Sequence, residues 1–364
     1  MRPLSLLISI VSFGAAVASA AEDISASLSP LIEGKPVPGL AAAAVLDGKI
    51  IAVGATGIRK LGDPTKVTIA DKFHLGSCTK SMTATLAAMV VEDGKIRWDA
   101  TAESIFPDVK MDPAYRKATL REFLSNTGGV ATEVPPALWG DLSLNGHPEA
   151  AQRRELLEGI LKLPPAYPPG GGSMYSNAGF SIGGAMLEKV TGKPYDQLLR
   201  ERLFRPLGMT HSGFGPAAAN DKVDQPYGHH LVDGKLVAVD PFPAGDNPPA
   251  ITPAGRVHAS IEDFARYANF HLGHATKPLK PEQVAFLHEA VVPSKDYAMG
   301  WQRVDRDWAG GTALTHNGTN TMFFAVMWLA PEKNFAVVAA CNSGEGAQVC
   351  DAAVWMLIQK YCPK

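Results

Sequence analysis

Gly76-Ser77-Cys78-Thr79-Lys80-Ser81-Met82-Thr83-Ala84-Thr85-Leu86-Ala87-Ala88-Met89-Val90 is the stretch on which the reading of this chain turns. Met82, Leu86, Met89 and Val90 recur at helical spacing, and Gly94 supplies a stop. A helix is therefore expected to begin at Ser77, with Lys80 one turn on and on the same face. A serine hydroxyl is a poor nucleophile until a base takes its proton. A lysine serves as that base only when its pKa is lowered, by desolvation or by nearby positive charge. The helix N-terminus works in that direction and also favours a developing oxyanion. Beyond the N-terminal leader described below, Ser-x-x-Lys occurs once in the chain.

On either side of this helix the pattern changes to strands. Leu40 to Leu46 is apolar, Asp47-Gly48 is a hairpin turn signal, and Ile50 to Val53 answers it. Near the other end, Thr312 to His316, Met322 to Leu329 and Phe335 to Cys341 read as strands, with Pro331 to Asn334 as a turn. A last helix carries Val349, Ala353, Met356 and Leu357. Between the ends lie helical runs and Pro/Gly loops, among them the amphipathic Ile261 to His271. The expected class is α+β: one antiparallel sheet flanked by helices, with an inserted, mainly helical lobe. The sheet lobe would take about 21–75 and 291–364, the helical lobe about 76–290, with a cleft between them where ligand sites tend to lie.

The first twenty residues stand apart. Arg2, the apolar run Leu4 to Val17 and Ala18-Ser19-Ala20 read as a signal peptide cleaved after Ala20 or Ala21. No cysteine stands at the cleavage site, so a lipid anchor is not expected, and no later run is long and apolar enough to span a membrane. The mature protein is expected to be periplasmic or secreted. A net charge of -2 leaves no electrostatic footprint for nucleic acid. A 46% hydrophobic, 19% charged composition excludes global disorder. In an exported chain the four cysteines raise the question of disulfides. Cys350 and Cys362 would sit on one helix about 18 Å apart, too far to bridge. Cys341 and Cys350 could face each other at one end of the sheet, bridged or free, and Cys78 reads as buried and free.

Two further elements carry chemistry. Tyr175-Ser176-Asn177 follows the loop Pro164-Pro165-Ala166-Tyr167-Pro168-Pro169-Gly170-Gly171-Gly172 and precedes a helical run from Gly179 to Val190. Tyr175 can relay protons if cationic neighbours lower its pKa, and Asn177 can bind a substrate amide. Tyr267-Ala268-Asn269 fits the same pattern but lies inside an amphipathic helix. His316-Asn317-Gly318 ends one strand and precedes another, which sets it apart from the His-x-Gly at His74, His211 and His271. Gly318 would let a substrate approach the backbone, and the Thr319 N–H could join that of Ser77 as an oxyanion hole. Gly179-Phe180-Ser181-Ile182-Gly183 matches a nucleophile elbow but follows a loop rather than a strand. His229, His230, His271 and His274 have no carboxylates arranged with them in a metal pattern. Neither a metal nor an organic cofactor is expected.

The three elements, in this order, resemble the penicillin-recognising serine hydrolases, and with Tyr-x-Asn as the second element the class C β-lactamases, D-alanyl-D-alanine carboxypeptidases and related esterases. The likeness extends to Leu124-Ser125-Asn126-Thr127-Gly128-Gly129, Leu203-Phe204-Arg205-Pro206-Leu207-Gly208-Met209, Pro253-Ala254-Gly255 and Met299-Gly300-Trp301. The resemblance implies a β-lactamase-like or penicillin-binding-transpeptidase-like fold. It implies Ser77 as acylated nucleophile, Lys80 and Tyr175 as proton carriers, Asn177 as acyl-side-chain ligand, and His316, Gly318 and Thr319 as the third wall. Many β-lactamases carry lysine where His316 stands, so carboxylate recognition should be weak here. The implied substrate is a small acyl compound or a peptidoglycan-type peptide. The leaving group stays open among β-lactam, ester and D-aminoacyl amide. The implied protein is a hydrolase; a monomer is expected, and the resemblance does not fix the oligomeric state. The alternatives are a penicillin-binding receptor that acylates without turning over, or a carboxylesterase without β-lactam activity.

Overall fold

The computed structural model describes residues 20–243, 245–274, 278–294 and 296–364. All of the expected leader except Ala20 lies outside these. The two ends of the chain meet in one sheet, built from β1 (Glu22–Asp23), β2 (Gly39–Leu46), β3 (Lys49–Gly57), β9 (Gln302–Arg306), β10 (Gly311–Thr319), β11 (Phe324–Ala330) and β12 (Phe335–Cys341). The order is β1-β3-β2-β12-β11-β10-β9, antiparallel except for the short β1 beside β3. The expected α+β class holds.

The central strands show why alanine is so frequent in them. Ala41, Ala43 and Val45 point into the core shared with the helical region; Leu40, Ala42 and Ala44 point the other way. Their β12 partners alternate in the same manner, Ala43 opposite Val338 and Ala42 opposite Ala339. Helices cover both faces, so each face needs small side chains to let the layers close to native density. The outer face is covered by Ser25–Ile32 and Ala347–Tyr361 through Leu28, Val349, Ala353 and Leu357. The inner face carries Ile261–His271 and, beyond it, the central helix Thr79–Glu92.

That central helix is buried all round from Thr79 to Val90, not on one face as its periodicity suggests. It is enclosed by Asn177–Thr191, Tyr195–Leu199, Thr252–Gly255 and Pro281–His288. The middle of the chain is also less purely helical than expected. It holds a three-stranded sheet, β4 (Lys72–His74), β8 (Val257–Ser260) and β5 (Ser212–Phe214), and a hairpin of β6 (Gly228–Val232) and β7 (Lys235–Val239) turning at Asp233-Gly234. These strands are too short for a period-2 pattern to stand out. Met322 and Phe323, expected in a strand, are held in a turn because both of their N–H groups donate to Asn320 Oδ1. The cysteines are free thiols, and Cys78, Cys341 and Cys350 are buried.

One buried ion pair ties the helical region together. Arg153, on Glu149–Leu161, donates through Nε at 2.9 Å and a terminal nitrogen at 2.6 Å to the Glu188 carboxylate on Asn177–Thr191. Glu188 also accepts from the Tyr195 N–H at 2.7 Å. Removing Glu188 leaves the buried Arg153 guanidinium, for a carboxylate, only the longer contact to half-exposed Glu149, 3.4 Å away. Glu188→Ala is therefore expected to lose about 3–5 kcal/mol of unfolding free energy, measured by urea denaturation.

Candidate active site

The site begins with a close contact of two backbones. Ser77 lies in a 3₁₀ turn, Gly76–Cys78, that runs straight into the central helix. It thus precedes the first α-helical residue rather than starting the helix. Strand β10 continues past His316 through Asn317, Gly318 and Thr319 and crosses directly over this turn. A Cβ on Gly318 would stand 2.1 Å from Leu75 O and 2.4 Å from Ser77 N. A Cβ on Gly76, whose φ is +49°, would stand 2.3 Å from Thr319 N. Two glycines facing each other thus bring the backbone nitrogens of Ser77 and Thr319 to one wall.

Lys80 is completely buried. Its Nζ lies 3.1 Å from Ser77 Oγ, 2.6 Å from Asn177 Oδ1 and 2.8 Å from Ala254 O. None of these partners is an anion, and burial holds the Lys80 pKa well below the ordinary lysine range. A neutral amine has two N–H groups and one lone pair. The amide oxygen and the backbone carbonyl can only accept, so they take the two N–H groups. The lone pair is then left facing the Ser77 hydroxyl. The Tyr175 ring covers Nζ from one side, its centroid 4.5 Å away, with Phe180 farther off on another.

Tyr175 sits on the loop before Asn177–Thr191, and its hydroxyl shares a hydrogen bond with Ser77. Burial of that end pushes its pKa up to about 12, and the bond to Ser77 offsets only part of the rise. The condition for a phenolate relay, cationic neighbours that lower this pKa, is therefore not met. Asn177 opens its helix, with Ser176 as N-cap accepting from the Gly179 N–H. Its Oδ1 is taken by Lys80, so only its Nδ2 remains to meet a ligand.

His316 is buried, with Nδ1 2.5 Å from Asn317 O and Nε2 3.2 Å from the Tyr297 hydroxyl. A carbonyl only accepts, so Nδ1 carries the proton and Nε2 accepts from Tyr297. Burial lowers the His316 pKa to about 4. The third wall is therefore uncharged at neutral pH.

Two participants escaped the sequence reading. Tyr297 lies just ahead of Met299-Gly300-Trp301, a segment whose likeness was noted without a role for the tyrosine. Asn126, at φ +62°, accepts the Ser176 N–H on its side chain, receives Met174 N–H and Tyr167 O–H on its carbonyl, and bonds Tyr297. It thereby fixes the Tyr175 loop. The competing residues fall elsewhere. Tyr267 is buried behind the central helix against Ser81 and His271, and Asn269 reaches Gly48 O. Ser181 is mid-helix, donating to Asn177 O. His229 is engaged by Asn342 O and the Leu61 N–H, and His271 by His288. Among the described residues no group of three or more His, Cys, Asp or Glu is placed to hold a metal.

A serine, a buried lysine amine and a tyrosine converging beside the backbone nitrogens of Ser77 and Thr319 make an arrangement that can carry out acyl transfer. The Beta-lactamase family model matches residues 24–359, and the chain belongs to that family of serine hydrolases. An unguisins hydrolase of Aspergillus campestris is 28% identical over 89% of this chain, which spans 62% of that longer relative. Penicillin-binding protein 4 of Amycolatopsis lactamdurans is 29% identical, covering 85% of this chain and 81% of its own. A class C β-lactamase shares the fold, with a TM-score of 0.76 at 18% identity over 93% of this chain and 95% of that one.

The glycine contact is open to a direct check. Gly318→Ala forces a methyl into Leu75 O and Ser77 N, two backbone atoms that cannot swing aside. Urea unfolding is expected to show a loss of about 1–3 kcal/mol.

Proposed function

We propose that this chain is an exported acyl hydrolase in which Ser77 is acylated and water then releases the acyl group. The observation that carries this reading is the Lys80 amine, buried without an anion and with its lone pair left for the Ser77 hydroxyl. Lys80 takes the Ser77 proton as Oγ attacks the substrate carbonyl. The oxyanion rests between the N–H groups of Ser77 and Thr319. Tyr175, a neutral phenol hydrogen-bonded to Ser77, hands its proton to the leaving group and is reprotonated by the Lys80 ammonium, so that both groups end the acylation neutral. Asn177 holds Lys80 and offers Nδ2 to the acyl side chain, and His316 and Gly318 line the opposite wall.

The neutral His316 supports a substrate that needs no cation on that wall: a carboxylic ester, or an amide without a carboxylate to anchor. A β-lactam carboxylate would find no ion pair there. The leader, Arg2 to Ala20, is the support for export. Among the described residues no helix is long and apolar enough to cross a membrane.

A paired assay tests the reading. With a short-chain nitrophenyl ester and a chromogenic cephalosporin run side by side, ester turnover is expected to dominate. Ser77→Ala is expected to abolish it while the circular dichroism spectrum is retained. Turnover surviving in folded Ser77→Ala sinks the mechanism. A covalent adduct lasting hours in the wild type would make the protein a receptor instead. The pH profile gives a second check. The lysine pKa is lowered, so the competent neutral amine is present at neutral pH and is lost as pH falls through that value. Ester kcat/KM is expected to be flat above neutrality, with a single acid limb far below about 10.4, the ordinary lysine value. A limb near that ordinary value contradicts the assignment of Lys80 as base.

A further inference from the structure

A second buried polar chain reaches the nucleophile from behind. His74, the last residue of β4, is buried and has its Nδ1 accepting the Gly76 N–H at 3.1 Å. Its Nε2 lies 3.0 Å from Oδ1 of Asp246, which is buried as well. The other oxygen of Asp246 accepts from Arg256 Nε at 3.0 Å, and the Asn247 N–H donates to Oδ1 at 2.8 Å. Burial alone would raise the Asp246 pKa, but His74 and Arg256 hold it down to about 2, so the carboxylate is ionised. Since Nδ1 accepts, the His74 proton sits on Nε2, which is close to Asp246 but not aligned with it for a hydrogen bond.

This arrangement has the members of an acid–histidine relay but does not touch the serine hydroxyl. It ends on a backbone N–H one residue earlier. Gly76 sits at φ +49°, where its orientation is not set by local preference alone. Its N–H is held by His74, and its carbonyl accepts from Thr79 Oγ1 at 2.7 Å. The Thr79 hydroxyl is itself held by the Val257 N–H at 3.1 Å. In a trans peptide the C=O and the next N–H point opposite ways. Turning the Gly76 carbonyl into the helix therefore turns the Ser77 N–H out toward Gly318 and Thr319.

We infer that His74, anchored by Asp246 and Arg256, is a positioning residue that aims the Ser77 N–H at the oxyanion. The inference rests on the assignment of Ser77 as nucleophile. It concerns the rate of the chemical step rather than ground-state binding, because the charge that this N–H meets develops only in the transition state.

Amide substitutions separate the two ends of the imidazole. His74→Asn places an oxygen where Nδ1 stands and keeps an acceptor for Gly76. His74→Gln places its amide near Nε2 and keeps contact with Asp246 but loses that acceptor. The readout is phosphonylation of Ser77 by a fluorescent fluorophosphonate, in which Oγ displaces fluoride from phosphorus and Lys80 takes the serine proton. His74→Gln is expected to lower kinact about 10²-fold, with KI almost unchanged. His74→Asn is expected to keep kinact within about fivefold of wild type. Wild-type kinact in His74→Gln overturns the inference. So does an equal fall in both variants, which would make the ring a space-filler. If melting curves find His74→Gln unfolded, Asp246→Asn carries the test, with an expected loss of about tenfold in kinact and overturning if kinact is unchanged. Labelling that persists in Ser77→Ala instead brings down the assignment of the nucleophile, a separate failure.

Discussion

A buried lysine amine without a counter-ion is the constraint around which this molecule is arranged. Carrying an ammonium out of water costs several kcal/mol unless an anion accompanies it, and Lys80 has none among its hydrogen-bond partners. The surroundings resolve this by favouring the free base. They also dictate where its lone pair can go, since two of the three neighbours can only accept. The helix that carries Lys80 must therefore lie at the centre of the fold, not on its surface. Asn177 and Ala254 have to arrive from distant parts of the chain to complete the shell. The same desolvation that makes Lys80 a base keeps Tyr175 and His316 neutral, so the whole site is polar yet uncharged.

Much of this was legible beforehand, for identifiable reasons. Ser77 and Lys80 could be read because their spacing coincides with a helix start followed by an apolar run. The strands that pair across the chain ends could be read because they are long and apolar and are bounded by Asp47-Gly48 and Pro331 to Asn334. Ile261 to His271 carries a strong amphipathic signal and forms a helix over that same range. The α+β class follows from these pieces.

The rest depended on contacts that leave no local trace. Strands β4, β8 and β5 are three or four residues long and contain Gly213, His74 and His258, so nothing in their composition announces a sheet. Yet that sheet holds the turn behind Ser77, through the Leu75 N–H to Val257 O bond. Tyr297 and Asn126 matter because tertiary structure brings them to His316 and to the Tyr175 loop. The direction of the Tyr175 shift was left conditional on its neighbours for the same reason: only the burial of its hydroxyl end shows that the phenol is held neutral.

Strand pairing at the middle of the large sheet joins Leu40 to Cys341 and Leu46 to Phe335. Almost the whole chain lies between those partners, so closing that ladder carries a high loop-closure cost and a high contact order. During synthesis, β2 and β3 emerge early as a hairpin with no third strand to lean on. Their pairing partner, β12, is made long after them. The His316 wall comes from β10, close to that late end, and cannot meet Ser77 before then. A nascent chain consequently has no wall opposite Ser77 until the segment through β10 has been made.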